Sequence, residues 1–215
     1  MSGDVAPDVY DYLFLTFAVD ASRAAPRAFA ERLAGPHRRA LEAAGGELVG
    51  YFTPQLGWSS DEAALILRWP ADAPGRKAAV DGLCADPALA GARRDRMAAT
   101  IRPGPADLPP PGGIFVHRVF EIDAADVDMF VALSGQAWGG FEGGFDSDIF
   151  GLFRVSPTAE DARAGGTRML LVTRYADHGV WEASRAPAPE VRDLFMRRRD
   201  LTRRTVAAST LLAPL

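Results

Sequence analysis

Leu48-Val-Gly-Tyr-Phe-Thr53 and Ile149-Phe-Gly-Leu-Phe-Arg154 are the two stretches on which the fold turns. Each is a short apolar run with glycine third and phenylalanine fifth, and the pairs Gly50/Gly151 and Phe52/Phe153 stand 101 residues apart. Aromatic and apolar enrichment over so few residues predicts a strand in each. A repeat at that spacing predicts an internal duplication. Upstream, Tyr12-Leu-Phe-Leu-Thr-Phe-Ala-Val19 followed by Asp20 matches Ile114-Phe-Val-His-Arg-Val-Phe-Glu-Ile122 followed by Asp123, with Phe17/Phe120, Val19/Ile122 and Asp20/Asp123 in register at 103. Both read as a strand giving way to a helix. The intervening helices are expected from Pro26 to about Ala44, interrupted at Gly35-Pro36, and from Asp123 to about Trp138. Downstream, Ala64-Leu-Ile-Leu-Arg-Trp69 and Leu170-Leu-Val-Thr-Arg-Tyr175 are third strands, each ending in arginine plus a large aromatic and each joined to its predecessor by a hairpin. Last helices are expected at Lys77 to about Met97, broken near Asp86-Pro87, and Pro189 to about Val206; Ala99–Pro103 and Thr210–Pro214 then close each half.

The order strand, helix, strand, strand, helix, strand occurs twice and defines the fold class: α+β, two ferredoxin-like βαββαβ repeats packed sheet to sheet as an intrachain α+β barrel. Helices cover one face of each sheet, and the uncovered faces carry aromatic and aliphatic side chains that are best buried against each other. Pro103-Gly-Pro-Ala-Asp-Leu-Pro-Pro-Pro-Gly-Gly113 is too rich in proline and glycine for a helix or central strand. The domains are therefore a repeat at 9–103, a linker at 104–113 and a divergent repeat at 114–215.

With 48% hydrophobic and 24% charged residues the composition is that of an ordinary globular protein, which excludes disordered and coiled-coil classes. The net charge of −4 argues against nucleic acid as a partner, and no apolar run is long enough for a membrane span. The N-terminal Met1-Ser-Gly-Asp-Val-Ala-Pro-Asp has no basic or apolar region of a signal peptide, so a cytoplasmic protein is expected. Lys77 is the only lysine, which suggests a GC-rich bacterial genome. The single cysteine, Cys84, excludes an internal disulfide and reads as a small buried hydrophobe.

The first half resembles the NIPSNAP family, a branch of the dimeric α+β barrel superfamily. The residues that carry the resemblance run from Leu48-Val-Gly-Tyr-Phe-Thr-Pro-Gln-Leu-Gly-Trp58 through Asp61-Glu62, Arg68-Trp69 and Gly75-Arg-Lys-Ala-Ala79 to Asp86-Pro87. The chain departs from that pattern at Leu65, and at Leu171 in the second half, where a histidine is common, and at Ala88, where a tryptophan often follows Asp-Pro. The resemblance implies a pocket between sheets for an apolar or aromatic small molecule. It also admits cofactor-independent monooxygenase, isomerase or lyase chemistry. No cofactor or metal is expected. Haem held by His117 or His178 is the alternative, and a non-catalytic scaffold is another. Formation of a homodimer stays open.

Two candidate catalytic residues stand out. His117, in the middle of the fifth strand, falls on the face that the aligned register turns away from the helices, where it is either an acid or base or a hydrogen-bonded core histidine; the opposite register would place Arg118 there instead. Tyr175 is the second. With Arg174 and His178 it clusters at a strand end, where Arg174 either grips a ligand carboxylate or is a solvated arginine. Ser134-Gly-Gln-Ala-Trp-Gly-Gly-Phe-Glu-Gly-Gly-Phe-Asp-Ser147 reads as a glycine-rich loop whose Trp138 and Phe141 either swing over a ligand as a lid or simply pack. Arg192, Arg197, Arg198, Arg199, Arg203 and Arg204 give the last helix a basic face, read as solvated, with phosphate binding as the other use.

Overall fold

The computed structural model describes residues 8–19 and 24–215; the segment 1–7 and Asp20, the expected helix start, lie outside the described residues. The chain is mixed α+β, with an eight-stranded antiparallel sheet and helices. It divides into two compact units, residues 1–98 with 212–215, and residues 99–211.

In the first unit the elements run β1 (Val9–Phe17), α1 (Ala25–Arg32), a π turn (Leu33–His37), α2 (Arg38–Ala43), β2 (Glu47–Leu56), β3 (Glu62–Trp69), α3 (Arg76–Cys84) and β4 (Leu89–Ala99). Its strands lie in the order β4-β1-β3-β2, every pair antiparallel. The expected break at Gly35-Pro36 is the π turn: a wider turn accommodates Pro36, which has no N–H to give and whose ring crowds the preceding turn. Leu13, Leu15 and Phe17 of β1 alternate onto the helix side and pack with Phe29, Leu33, Leu41, Val80 and Leu83. Asp11 shares that side and is buried between two arginines. It accepts from Arg76 at 2.9 and 2.7 Å and from Arg94 at 2.8 and 3.0 Å. Burial alone would raise its pKa, but the two guanidinium forks outweigh it and hold the carboxyl below its ordinary value.

The second unit repeats the plan with β5 (Ile114–Asp123), a 3-10 turn (Ala124–Asp126), α4 (Val127–Gly144), β6 (Ser147–Val155), α5 (Ala159–Arg163), β7 (Gly166–Tyr175), α6 (His178–Ala183), α7 (Pro189–Asp200) and β8 (Thr202–Leu212). Its order, β8-β5-β7-β6, is the same order again. The duplication extends to the irregularities: β2 shifts register between Leu48 and Gly50, and β6 between Ile149 and Gly151. The two glycines have a common cause. A Cβ on Gly50 would lie 2.7 Å from the Phe52 ring, and one on Gly151 would lie 2.8 Å from the Phe153 ring. Each phenylalanine lays its ring across the glycine two residues before it, which explains why the pair recurs.

Three expectations about secondary structure are corrected. Residues 89–99 and 202–212 are strands, not the ends of the preceding helices. Pro87 stops the first helix early, and in β4 the buried residues Asp95 and Met97 show the two-residue period of a strand among exposed arginines. The glycine-rich segment is not a loop: α4 continues through it to Gly144. Two of its five glycines bring neighbours close, since a Cβ on Gly140 would sit 2.7 Å from Val191 and one on Gly135 2.6 Å from Ile101. Helix packing at those positions offsets the roughly 1 kcal/mol that each glycine withholds from a helix.

Candidate functional site

Within the second unit a cavity of about 360 Å³ opens between the helix-facing side of the sheet, the helices α4 and α7, and Ser184, Arg185 and Pro187 of the segment that joins α6 to α7. That side is set by alternation along β5: Ile114, Val116, Phe120 and Ile122 pack into the helix-side core with Val127, Phe130, Ala137, Trp138 and Phe141 of α4. Arg118 lies on the same side, and with Phe120, Leu171, Thr173 and Tyr175 it forms the sheet wall of the cavity. Trp138 and Phe141 form the α4 wall, and Arg192, Phe195, Met196, Arg198 and Arg199 line it from α7.

Arg198 is the unusual member. It is 6% exposed, and its guanidinium carbon lies 5.0 Å from the Phe120 ring centre, 5.4 Å from Phe130 and 4.7 Å from Phe195. Nη1 donates to Ser134 Oγ at 3.3 Å, while Ser134 Oγ itself donates to the Phe130 carbonyl at 2.7 Å. Burial, aided by the nearby Arg118 cation, pushes the Arg198 pKa down to about 10. The lining contains five arginines and no aspartate or glutamate. Stacking on three rings offsets part of the desolvation of this charge, but a buried cation reaches its lowest free energy when an anion is brought to it.

Tyr175 stands in the same cavity, its ring edge-on to Phe141 at 6.2 Å. Burial raises the pKa of its hydroxyl, while Arg118, hydrogen bonds with Ser184 and Thr173, and Arg198 pull in the opposite direction. The phenol is therefore a neutral donor at physiological pH, close to two cations. The indole N–H of Trp138 is buried and has no acceptor among the described residues, while its ring lines the cavity.

Of the residues singled out in the sequence, Trp138, Phe141 and Tyr175 are brought together in this cavity, on the packed faces of α4 and β7. His117 is not among the lining residues. It lies on the opposite face of β5 between Val172 and Ala208 and is 3% exposed, and burial drives its pKa down to about 3. Arg174 pairs with Asp146 and Asp148 instead of facing the cavity. The His178 ring nitrogen meets Ser209 Oγ at 3.0 Å. The sequence places a cavity on the uncovered sheet face; this one lies under the helices. Arg198 is buried, against the expectation of a wholly solvated basic face on the last helix. Its signal is legible in part, because Val191, Leu194, Phe195, Arg198 and Leu201 fall on one stripe of α7, so an arginine occupies an apolar position.

The chemistry available here is binding of an anion, stabilisation of negative charge as it develops, and hydrogen-bond donation from Tyr175. Neither His117 nor His178 lines this cavity, which therefore offers no histidine or cysteine to a haem iron. Among the described residues no group of three His, Cys, Asp or Glu could hold a metal ion.

No protein-family profile and no curated protein sequence matches this chain. Solved structures do. A monooxygenase-like protein from Lactobacillus acidophilus NCFM superimposes over 96% of this chain and 94% of its own, with 12% identity and a TM-score of 0.58. An anthrone oxidase-like protein matches over 97% and 92%, with 11% identity and a TM-score of 0.61. A haem-binding protein from Thermus thermophilus matches over 96% and 92%, with 12% identity and a TM-score of 0.54. The likeness is one of fold. None of these neighbours is named as a member of the NIPSNAP family.

Proposed function

We propose that this protein binds a small aromatic anion in the cavity of its second unit. Arg198 and Arg118 would hold the charged group, Tyr175 would donate to it, and the rings of Trp138, Phe141 and Phe195 would cover the apolar body. The observation that carries this reading is Arg198: a guanidinium 6% exposed, stacked on three rings, in a lining without a single carboxylate. The volume is at the lower end of the range for small-molecule sites, about 300 to 1,000 Å³.

Cofactor-independent monooxygenase, isomerase or lyase chemistry would begin in the same place, by holding an enolate or phenolate against the two guanidinium groups. The names of the neighbours, a monooxygenase-like and an anthrone oxidase-like protein, favour the first of these. The likeness extends over nearly the whole chain, which supports reading it as a fused counterpart of an α+β barrel, with repeats at 9–103 and 114–215 and a linker at 104–113. No helix among the described residues is long and apolar enough to cross a membrane.

The test uses two fluorescent probes of nearly identical shape, 8-anilinonaphthalene-1-sulfonate and neutral N-phenyl-1-naphthylamine. The wild-type protein is expected to bind the sulfonate at least about tenfold more tightly, a difference of about 1.4 kcal/mol. Arg198→Met is expected to remove that preference while leaving the neutral probe bound. Equal affinities in the wild-type protein would show that the cavity does not select for charge and would overturn the reading.

A further inference from the structure

The cavity holds more cationic groups than one anionic headgroup can satisfy, and they lie at two depths. Arg198 is buried and Arg118 half-buried, whereas Arg192 and Arg199 are exposed yet still line the same space. Arg192 and Arg199 are seven positions apart on α7, which places them on one face of the helix, about 10 Å apart along its axis. Phe195 and Met196 lie between them on the same wall. Among the described residues neither Arg192 nor Arg199 makes an ion pair. Arg185 differs, being already paired with Glu182 at 3.2 Å. A monoanion seated on Arg198 would therefore leave two further guanidinium groups at the mouth facing the exposed end of the ligand. Like charges lined up without a counter-ion repel one another, and a second anion at that end would relieve this.

We infer that the natural ligand carries two anionic groups at opposite ends of an apolar, aromatic body. The inner one sits on Arg198 and Arg118, and the outer one is met by Arg192 and Arg199. This rests on the reading of the cavity as an aromatic-anion site and adds the class of molecule it takes, an aromatic dicarboxylate or its equivalent. The inner pair, desolvated, supplies most of the affinity. The outer pair, in solvent, supplies selectivity for the second charge and makes binding sensitive to salt.

The experiment compares naphthalene-2,6-dicarboxylate with its monomethyl ester, which has the same rings and one charge fewer, by calorimetry at low and moderate salt. The dicarboxylate is expected to bind about tenfold more tightly at low salt, with the advantage shrinking as salt is added. The double variant Arg192→Gln/Arg199→Gln is expected to bind both compounds as the wild-type protein binds the monoester. Because both residues are exposed, the fold should not be affected. Equal affinities of the two compounds for the wild-type protein, or an advantage that survives in the double variant, would overturn the inference and leave the aromatic-anion site standing. Failure of both compounds to bind would overturn both.

Discussion

Replacing Arg198 by methionine is expected to stabilise the free protein while weakening its hold on aromatic anions. Burial and the Arg118 charge lower the pKa of this residue to about 10 on folding, which at 1.36 kcal/mol per unit corresponds to a penalty of about 3 kcal/mol on its charged form. The sign follows from the direction of the shift. A cation whose folded pKa lies below its unfolded value opposes folding at every pH below about 10, and the opposition is relieved only as the pH rises further towards the unfolded value. Methionine keeps an apolar stem of similar reach and carries no charge. It gives up the 3.3 Å bond to Ser134, worth about 1 kcal/mol, and stacking on Phe120, Phe130 and Phe195, worth about 1 kcal/mol more. The net gain is about 1 kcal/mol, or a rise in Tm of about 2 to 4 °C for a chain of this size. Differential scanning fluorimetry and urea titration measure the stability, and anilinonaphthalene sulfonate titration on the same samples measures binding. A variant that melts several degrees lower and still prefers the sulfonate would refute the reasoning, because Arg198 would then be a structural residue whose charge the fold already satisfies.

Three further outcomes follow from the packing. Gly151→Ala puts a Cβ against the Phe153 ring and Pro103 and should cost about 1 to 3 kcal/mol by chemical denaturation; Phe153→Leu in the same chain should recover part of it, and no recovery would mean that the backbone, not the ring, requires glycine. Asp11→Asn leaves Arg76 and Arg94 without their buried acceptor and should destabilise by about 3 to 5 kcal/mol. Since the Asp11 carboxyl titrates below its unfolded value of 3.8, its contribution is present above pH 4 and lost as the pH falls further, so a variant with unchanged acid unfolding would contradict this. His117, held neutral with a pKa of about 3 against 6.5 unfolded, should make the wild-type protein lose about 2 kcal/mol between pH 7 and pH 5, as the unfolded chain takes up the proton. Its ring-proton NMR shifts should stay flat over that interval, and a midpoint near 6.5 would show an exposed imidazole.

The duplication is legible in the sequence because its cause is local. Gly50 with Phe52 and Gly151 with Phe153 each form a contact within three residues, so both members had to persist in both halves. The alternation of Leu13, Leu15 and Phe17 likewise reveals which side of the sheet the helices cover. The strands β4 and β8 are less legible, since their arginines face solvent, only Asp95 and Met97 carry the period in β4, and the buried residues of β8, Ala208, Ser209 and Thr210, are consecutive. The glycines of α4 point to a loop because the close packing that Gly140 and Gly135 permit is with residues far away in the chain, Val191 and Ile101. The same separation obscures the site. His117 stands out in the sequence by its versatile chemistry, whereas the cavity is built around an arginine whose burial depends on Phe120, Phe130 and Phe195 meeting from three elements.

A crystal structure of the protein soaked with anilinonaphthalene sulfonate tests the central claim most directly. The account predicts density for the naphthalene rings beside Trp138, Phe141 and Phe195, with the sulfonate within hydrogen-bond reach of Arg198 and Arg118. Density for the probe only on the His117 face of the sheet, with the cavity under α4 and α7 unfilled, would contradict it.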